Sequence, residues 1–147
     1  MQEGFKSFTV MVRKINRNIK RLKTDLMAEF NLKCPHVSSF YYLYTDGPLT
    51  AKELCEVCQE DKGALSRSID YLEKEGFIIN LDKKKKYKSP LSLTEKGKII
   101  GKHLADKIDK MFIQASDGLT KEERAVLFSS LAVVCDNLDK MTTSEKV

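Results

Sequence analysis

The sequence predicts a mainly α-helical fold with one small β-hairpin. Three observations lead there. Only 3 Pro and 7 Gly in 147 residues leave few helix breaks. Apolar rows at alternating spacings of three and four run through both ends of the chain. In one central stretch, residues 77–94, the apolar period shortens to two. With 41% hydrophobic and 32% charged residues the chain can fill a core and is not a disordered composition. The length fits one compact domain, or one domain with a helical extension.

Each element has a local cause. Phe5, Phe8, Val12, Ile15, Ile19, Leu22 and Leu26 form a heptad-like stripe that predicts a helix over 5–30. Arg13, Arg17, Lys20 and Arg21 lie on its other side. Pro35 disfavours helical geometry at Cys34 and breaks the helix. A short helix over 38–44 follows, with Gly47 as a left-handed stop. Thr50 and Glu53 have the spacing of a capping box, opening a helix to about residue 59. Asp61 is the next N-cap. Its helix runs over 62–75, buries Leu65, Ile69 and Leu72, and stops at Gly76.

Residues 77–81 and 87–94 are strand-prone, and the loop between them is lysine-rich. Thr94 caps a long helix to about residue 116, with Ile100, Leu104, Ile108 and Met111 in its stripe. Asp117-Gly118 ends it. Thr120, with Glu123 three residues later, opens a last helix carrying Leu127, Leu131, Val134, Leu138 and Met141. The polar tail from Thr142 is expected to fray.

The net charge of +5 is unevenly spread. Residues 1–24 carry +6, residues 25–81 carry −5, residues 82–102 carry +6 and residues 103–147 carry −2. Two concentrated positive segments are the footprint of a polyanion partner. Two short helices joined by about three residues match a helix-turn-helix, whose second helix enters the DNA major groove. The basic hairpin that follows makes it a winged version.

At this point the chain resembles the MarR-type transcriptional regulators. The resemblance is carried by Gly47-Pro48-Leu49-Thr50-Ala51-Lys52-Glu53-Leu54 and by Asp61-Lys62-Gly63-Ala64-Leu65-Ser66-Arg67-Ser68-Ile69. It continues through Leu72-Glu73-Lys74-Glu75-Gly76-Phe77-Ile78 and Leu93-Thr94-Glu95-Lys96-Gly97. It implies a winged helix-turn-helix flanked by long N- and C-terminal dimerisation helices. Residues 1–34 would be the N-terminal dimerisation helix, 35–94 the DNA-binding domain and 95–147 the C-terminal dimerisation helices. It implies a homodimer on a pseudo-palindromic double-stranded DNA operator, acting as an effector-responsive repressor.

The recognition helix would present Lys62, Gly63, Ala64, Ser66 and Arg67 to DNA, with Arg67 on guanine, Ala64 and Ser66 at base edges and Gly63 allowing close backbone approach. Arg67 could instead pair with Asp70 or Asp61. The wing would present Lys83, Lys84, Lys85, Lys86 and Lys88. It has Asp82 but departs from the family in having no arginine. Lysine is a strongly hydrated point charge, so this wing is expected to add salt-sensitive affinity and little base readout.

Relatives that respond to phenolic compounds, oxidants or metals imply an effector site. Its candidates are Cys34, His36, Tyr41, Tyr44 and His103, although aromatic residues at these spacings also suit a core or an interface. Cys55 and Cys58 would be half a zinc site, but there is no second CxxC, and buried small side chains are the plainer role. No metal and no cofactor is expected.

Two alternatives stand beside DNA binding: a winged-helix protein-interaction module, which would need no positive face, and a metal- or thiol-responsive sensor of the same fold. No catalytic residues are expected. There is no GxSxG, no Gly-rich phosphate loop, and neither His lies in an HExxH or triad pattern. No run of 18 apolar residues and no secretory leader pattern is present, so no membrane partner is expected. Four Cys make no dense disulfide framework, and a reducing cytoplasm is the expected location.

Overall fold

The computed structural model describes residues 2–32, 36–85 and 88–144. The elements are α1 (Gln2–Ala28), α2 (His36–Thr45), α3 (Ala51–Cys58), α4 (Lys62–Lys74), β1 (Ile78–Asn80), β2 (Leu91–Leu93), α5 (Glu95–Ala115) and α6 (Lys121–Ser144). The fold is mainly α with one antiparallel hairpin, pairing Ile78 with Leu93, Ile79 with Ser92 and Asn80 with Leu91. No helix among the described residues is long and apolar enough to cross a membrane.

The chain divides into two compact units, Met1–Lys107 and Ile108–Val147. In the first, α2 packs on α1, α3 and β2, and α4 packs on α3 and β1. Its core holds Met27, Phe40, Leu54, Leu65, Leu72, Ile78, Leu91 and Leu104, all nearly or wholly buried. Phe40 meets Phe77 edge-on, with ring centroids 5.4 Å apart. The last turn of α1 and the first half of α5 therefore belong with the winged helix. Leu26 and Met27 bury against it, as do Ile100 and Leu104.

In the second unit, Thr120 and Glu123 close a capping box at the start of α6. The Thr120 amide donates to Glu123 Oε2 at 2.8 Å, and the Glu123 amide to Thr120 Oγ1 at 3.1 Å. Gly118 supplies the left-handed turn before it, at φ 88°. Phe112 packs against Phe128 at 5.6 Å.

Several boundaries differ from the periodicity. The first helix stops at Ala28 because Asn31 turns left-handed at φ 54° and the Leu32 amide bonds back to the Met27 carbonyl at 3.0 Å. The second begins two residues earlier than expected, at His36, and α6 continues through Thr142 to Ser144. The strands are only three residues each. Pro90 has no N–H to donate, and residues 83–85 close into a 3-10 turn instead of extending β1.

Candidate nucleic-acid interface

The helix-turn-helix is built by its caps. At the N-terminus of α3, the Thr50 amide donates to Glu53 Oε2 at 2.8 Å, and the Glu53 amide to Thr50 Oγ1 at 3.2 Å. The Thr50 amide and hydroxyl hold the Glu53 carboxyl below its ordinary value. Gln59 ends α3 in the left-handed region at φ 53°. Glu60 and Asp61 complete a three-residue turn, and Asp61 Oδ2 accepts from the Ala64 amide at 3.1 Å to start α4.

Leu65, Ser68, Ile69 and Leu72 of α4 turn inward. The candidate base-reading residues lie on the first two turns of α4: Lys62, Gly63 and Arg67 are exposed, and Ala64 and Ser66 are half-buried. The Arg67 side chain makes no hydrogen bond or ion pair among the described residues, so neither Asp61 nor Asp70 holds it. A Cβ on Gly63 would lie 3.2 Å from Asp61 Oδ2 and 3.6 Å from Arg67 Nη1, so the bare backbone there keeps the helix surface low.

A groove of about 460 Å³ runs between α3, α4 and the hairpin. Lys62, Ser66 and Asp70 line it from α4, Lys52 from α3, and Asn80 and Lys88 from the hairpin. Sequence reasoning missed Lys52 and Asn80. The spacing Lys52, Cys55, Glu56 on one face of α3 could have flagged the first. Nothing local flags Asn80.

The wing tip is a closed structure. Asp82 Oδ1 accepts from the Lys84 amide at 3.0 Å. The Asp82 amide donates to Ser89 Oγ at 2.7 Å, and the Lys85 carbonyl accepts from the Lys88 and Ser89 amides at 2.9 Å each. Lys84, Lys85 and Lys88 project into solvent from this frame. Lys83 begins the 3-10 turn, and Lys86 lies outside the described residues. Leu49, just before α3, bonds reciprocally to Leu91, tying the wing to the helix-turn-helix.

The effector candidates fall in different environments. His36 is buried and stacks on Tyr71 of α4, with ring centroids 4.7 Å apart and planes 4° from parallel. Tyr41 meets Tyr42 edge-on at 5.5 Å. Tyr44 lies against Gly101 of α5. His103 is half-exposed, with Nε2 3.9 Å from Glu29 Oε2 and its ring edge-on to Phe30. Cys34 lies outside the described residues. Among the described residues, His36, Tyr41, Tyr44 and His103 do not line the groove beside α4.

Cys55 and Cys58 are free thiols, and Cys55 Sγ donates to the Glu60 carbonyl at 3.0 Å. Burial, helped by the Glu60 charge, pushes the Cys58 thiol up to about 12. No group of three or more metal-binding side chains occurs among the described residues.

No family model matches the sequence. The chain is 26% identical over 137 residues to YwaE of Bacillus subtilis, an uncharacterised HTH-type transcriptional regulator, covering 92% of this chain and 80% of that protein. A MarR family regulator from Neisseria meningitidis superimposes with a TM-score of 0.84 at 19% identity, over 97% of this chain and 99% of that one. A MarR family transcriptional regulator from Listeria monocytogenes, solved with a 26-mer DNA, superimposes with a TM-score of 0.81 at 23% identity over 94% of each chain. The capped helix-turn-helix, the lysine wing and the long flanking helices thus compose the winged helix-turn-helix fold of the MarR family of transcriptional regulators.

Proposed function

We propose that this chain is a sequence-specific DNA-binding transcriptional regulator that acts as a homodimer on a pseudo-palindromic operator. The observation that carries the reading is Arg67. It is exposed, and unpaired among the described residues, on the solvent face of a capped second helix. Lys62 and Ser66 of the same helix line the adjoining groove together with Lys88 of the wing. A buried stripe fixes the helix, so the guanidinium is free to form a bidentate contact with guanine. The DNA complex of the Listeria relative supports the same use of this fold.

Exposed apolar rows support the dimer. Phe5 is 75% exposed, Ile15 58% and Met141 66%, more apolar surface than a lone helix leaves to water without a partner. A second copy covers these rows in the proposed assembly, and two-fold symmetry then sets two recognition helices on two half-sites. The effector candidates, having separate surroundings, carry no part of this reading.

Selection of bound sequences from a random duplex pool tests it. The expected product is an inverted repeat with half-sites about one helical turn apart. A pool that returns unenriched, or protein that sediments as a monomer at micromolar concentration, refutes the reading.

A further inference from the structure

The recognition helix and wing leave one strongly charged surface unused. On α1, the residues Lys6, Arg13, Arg17 and Arg21 are all exposed. At ~100° per residue they fall within about 80° of arc, opposite the Phe8–Val12–Ile15–Ile19–Leu22 row. Arg13, Arg17 and Arg21 recur every fourth residue, roughly 6 Å apart along the axis. None of the four side chains makes a hydrogen bond or ion pair among the described residues. The only acid before residue 25 is Glu3. Like charges set at i and i+4, as at Arg13, Arg17 and Arg21, repel weakly along a helix, and a bound polyanion would relieve that repulsion.

We propose that the basic face of α1 is a second, sequence-independent docking surface for the phosphate backbone of duplex DNA. This rests on the reading of α4 and the wing as the primary DNA site. Charge complementarity selects the occupant. A second copy is already called for by the opposite, apolar face, and α6, which carries the other exposed apolar row, has no acidic stripe to match. Its four acids, Glu122, Glu123, Asp136 and Asp139, are nearly balanced by Lys121, Arg124 and Lys140. An anionic lipid surface would take the apolar face of α1 as well as its cations, and the dimer covers that face. Duplex DNA asks only for the cations and lies next to a protein already bound through α4.

The test is the salt dependence of binding to a long duplex containing the selected operator. Wild type is compared with K6Q/R13Q/R17Q/R21Q and with the charge-preserving R13K/R17K/R21K, after sedimentation shows that all three are folded dimers. Every phosphate that a variant ceases to neutralise flattens the log K against log salt slope by about 0.9. The glutamine variant is expected to flatten it by at least ~2 and to weaken operator and random DNA equally. The lysine variant keeps the wild-type slope.

An unchanged slope in the glutamine variant, with wild type still binding, overturns the proposal and leaves the primary reading intact. A lysine variant as defective as the glutamine one overturns it too. Loss of binding to phosphatidylserine vesicles with the DNA slope unchanged assigns the face to a membrane instead. Wild type without salt-dependent DNA binding refutes the primary reading itself.

Discussion

Gly97, on the first turn of α5, sits directly against the carbonyl oxygen of Phe77, and a Cβ there would overlap that oxygen. The carbonyl cannot yield easily. It accepts the Thr94 amide at 3.0 Å and lies 3.2 Å from the Thr94 hydroxyl, which also caps α5 by accepting from the Gly97 amide. The junction between the hairpin and α5 is thus a backbone-on-backbone approach that only glycine permits. Gly97→Ala is expected to cost about 3 kcal/mol in urea unfolding, the upper range for overpacking. Gly4→Ala, with nothing within 4 Å of its new Cβ, should be neutral or slightly stabilising through helix propensity. Equal behaviour of the two variants would contradict the close approach.

Arg67→Ala removes the candidate guanine-reading group without touching the core. Operator binding should weaken by about 1–3 kcal/mol, roughly five- to 150-fold, while binding to random duplex persists. Footprints on the operator read the difference. Identical protection by wild type and variant would exclude base readout by this residue.

Lys84, Lys85 and Lys88 should behave differently. Replacing all three with Ala is expected to weaken operator and random DNA alike, and to flatten the salt slope by about 0.9 for each phosphate left without its lysine. Fluorescence anisotropy at several salt concentrations separates this uniform weakening from the sequence-dependent weakening at Arg67.

Glu60 ties the helix-turn-helix turn to pH. Burial raises its carboxyl above the ordinary 4.5, against the opposing pull of Lys23, and Oε2 is buried without a hydrogen-bond partner among the described residues. The folded state then holds its proton more tightly than the unfolded state. That contribution is fully present below 4.5 and is lost as pH rises through the raised value. Glu60→Gln should be more stable than wild type, by a margin that grows from pH 4.5 upward. A margin that shrinks over that range would reverse the assignment.

Cys58 should be nearly inert in the native state. With the thiol pushed up from 9.0 to about 12, the thiolate fraction at neutral pH falls about a thousandfold, and the thiolate is the reactive form. Alkylation followed by mass mapping, native against urea-unfolded, is expected to show Cys58 labelled only after unfolding. Rapid native labelling would reopen a redox role for the pair with Cys55.

Much of the molecule was legible residue by residue. The caps at Thr50, Asp61, Thr94 and Thr120 and the stops at Gly47, Gly76 and Gly118 stand where local hydrogen bonding and backbone freedom put them. Those signals act within four residues, so a single chain displays them. The helix-turn-helix, its exposed face and the basic hairpin followed from them.

What three-four periodicity names is an apolar face, not the surface that face will meet. Packing alone set His36 against Tyr71 while His103 went to Glu29, dividing the expected effector cluster between two environments. It buried Ser39, Ser68 and Ser89, polar residues that hydropathy leaves outside. It also turned Lys52 and Asn80 into the groove beside Arg67's helix. Local sequence determined which helices and turns form, because each is stabilised by its own neighbours along the chain. The tertiary structure decided which side chains share a site, because that depends on packing between residues tens of positions apart.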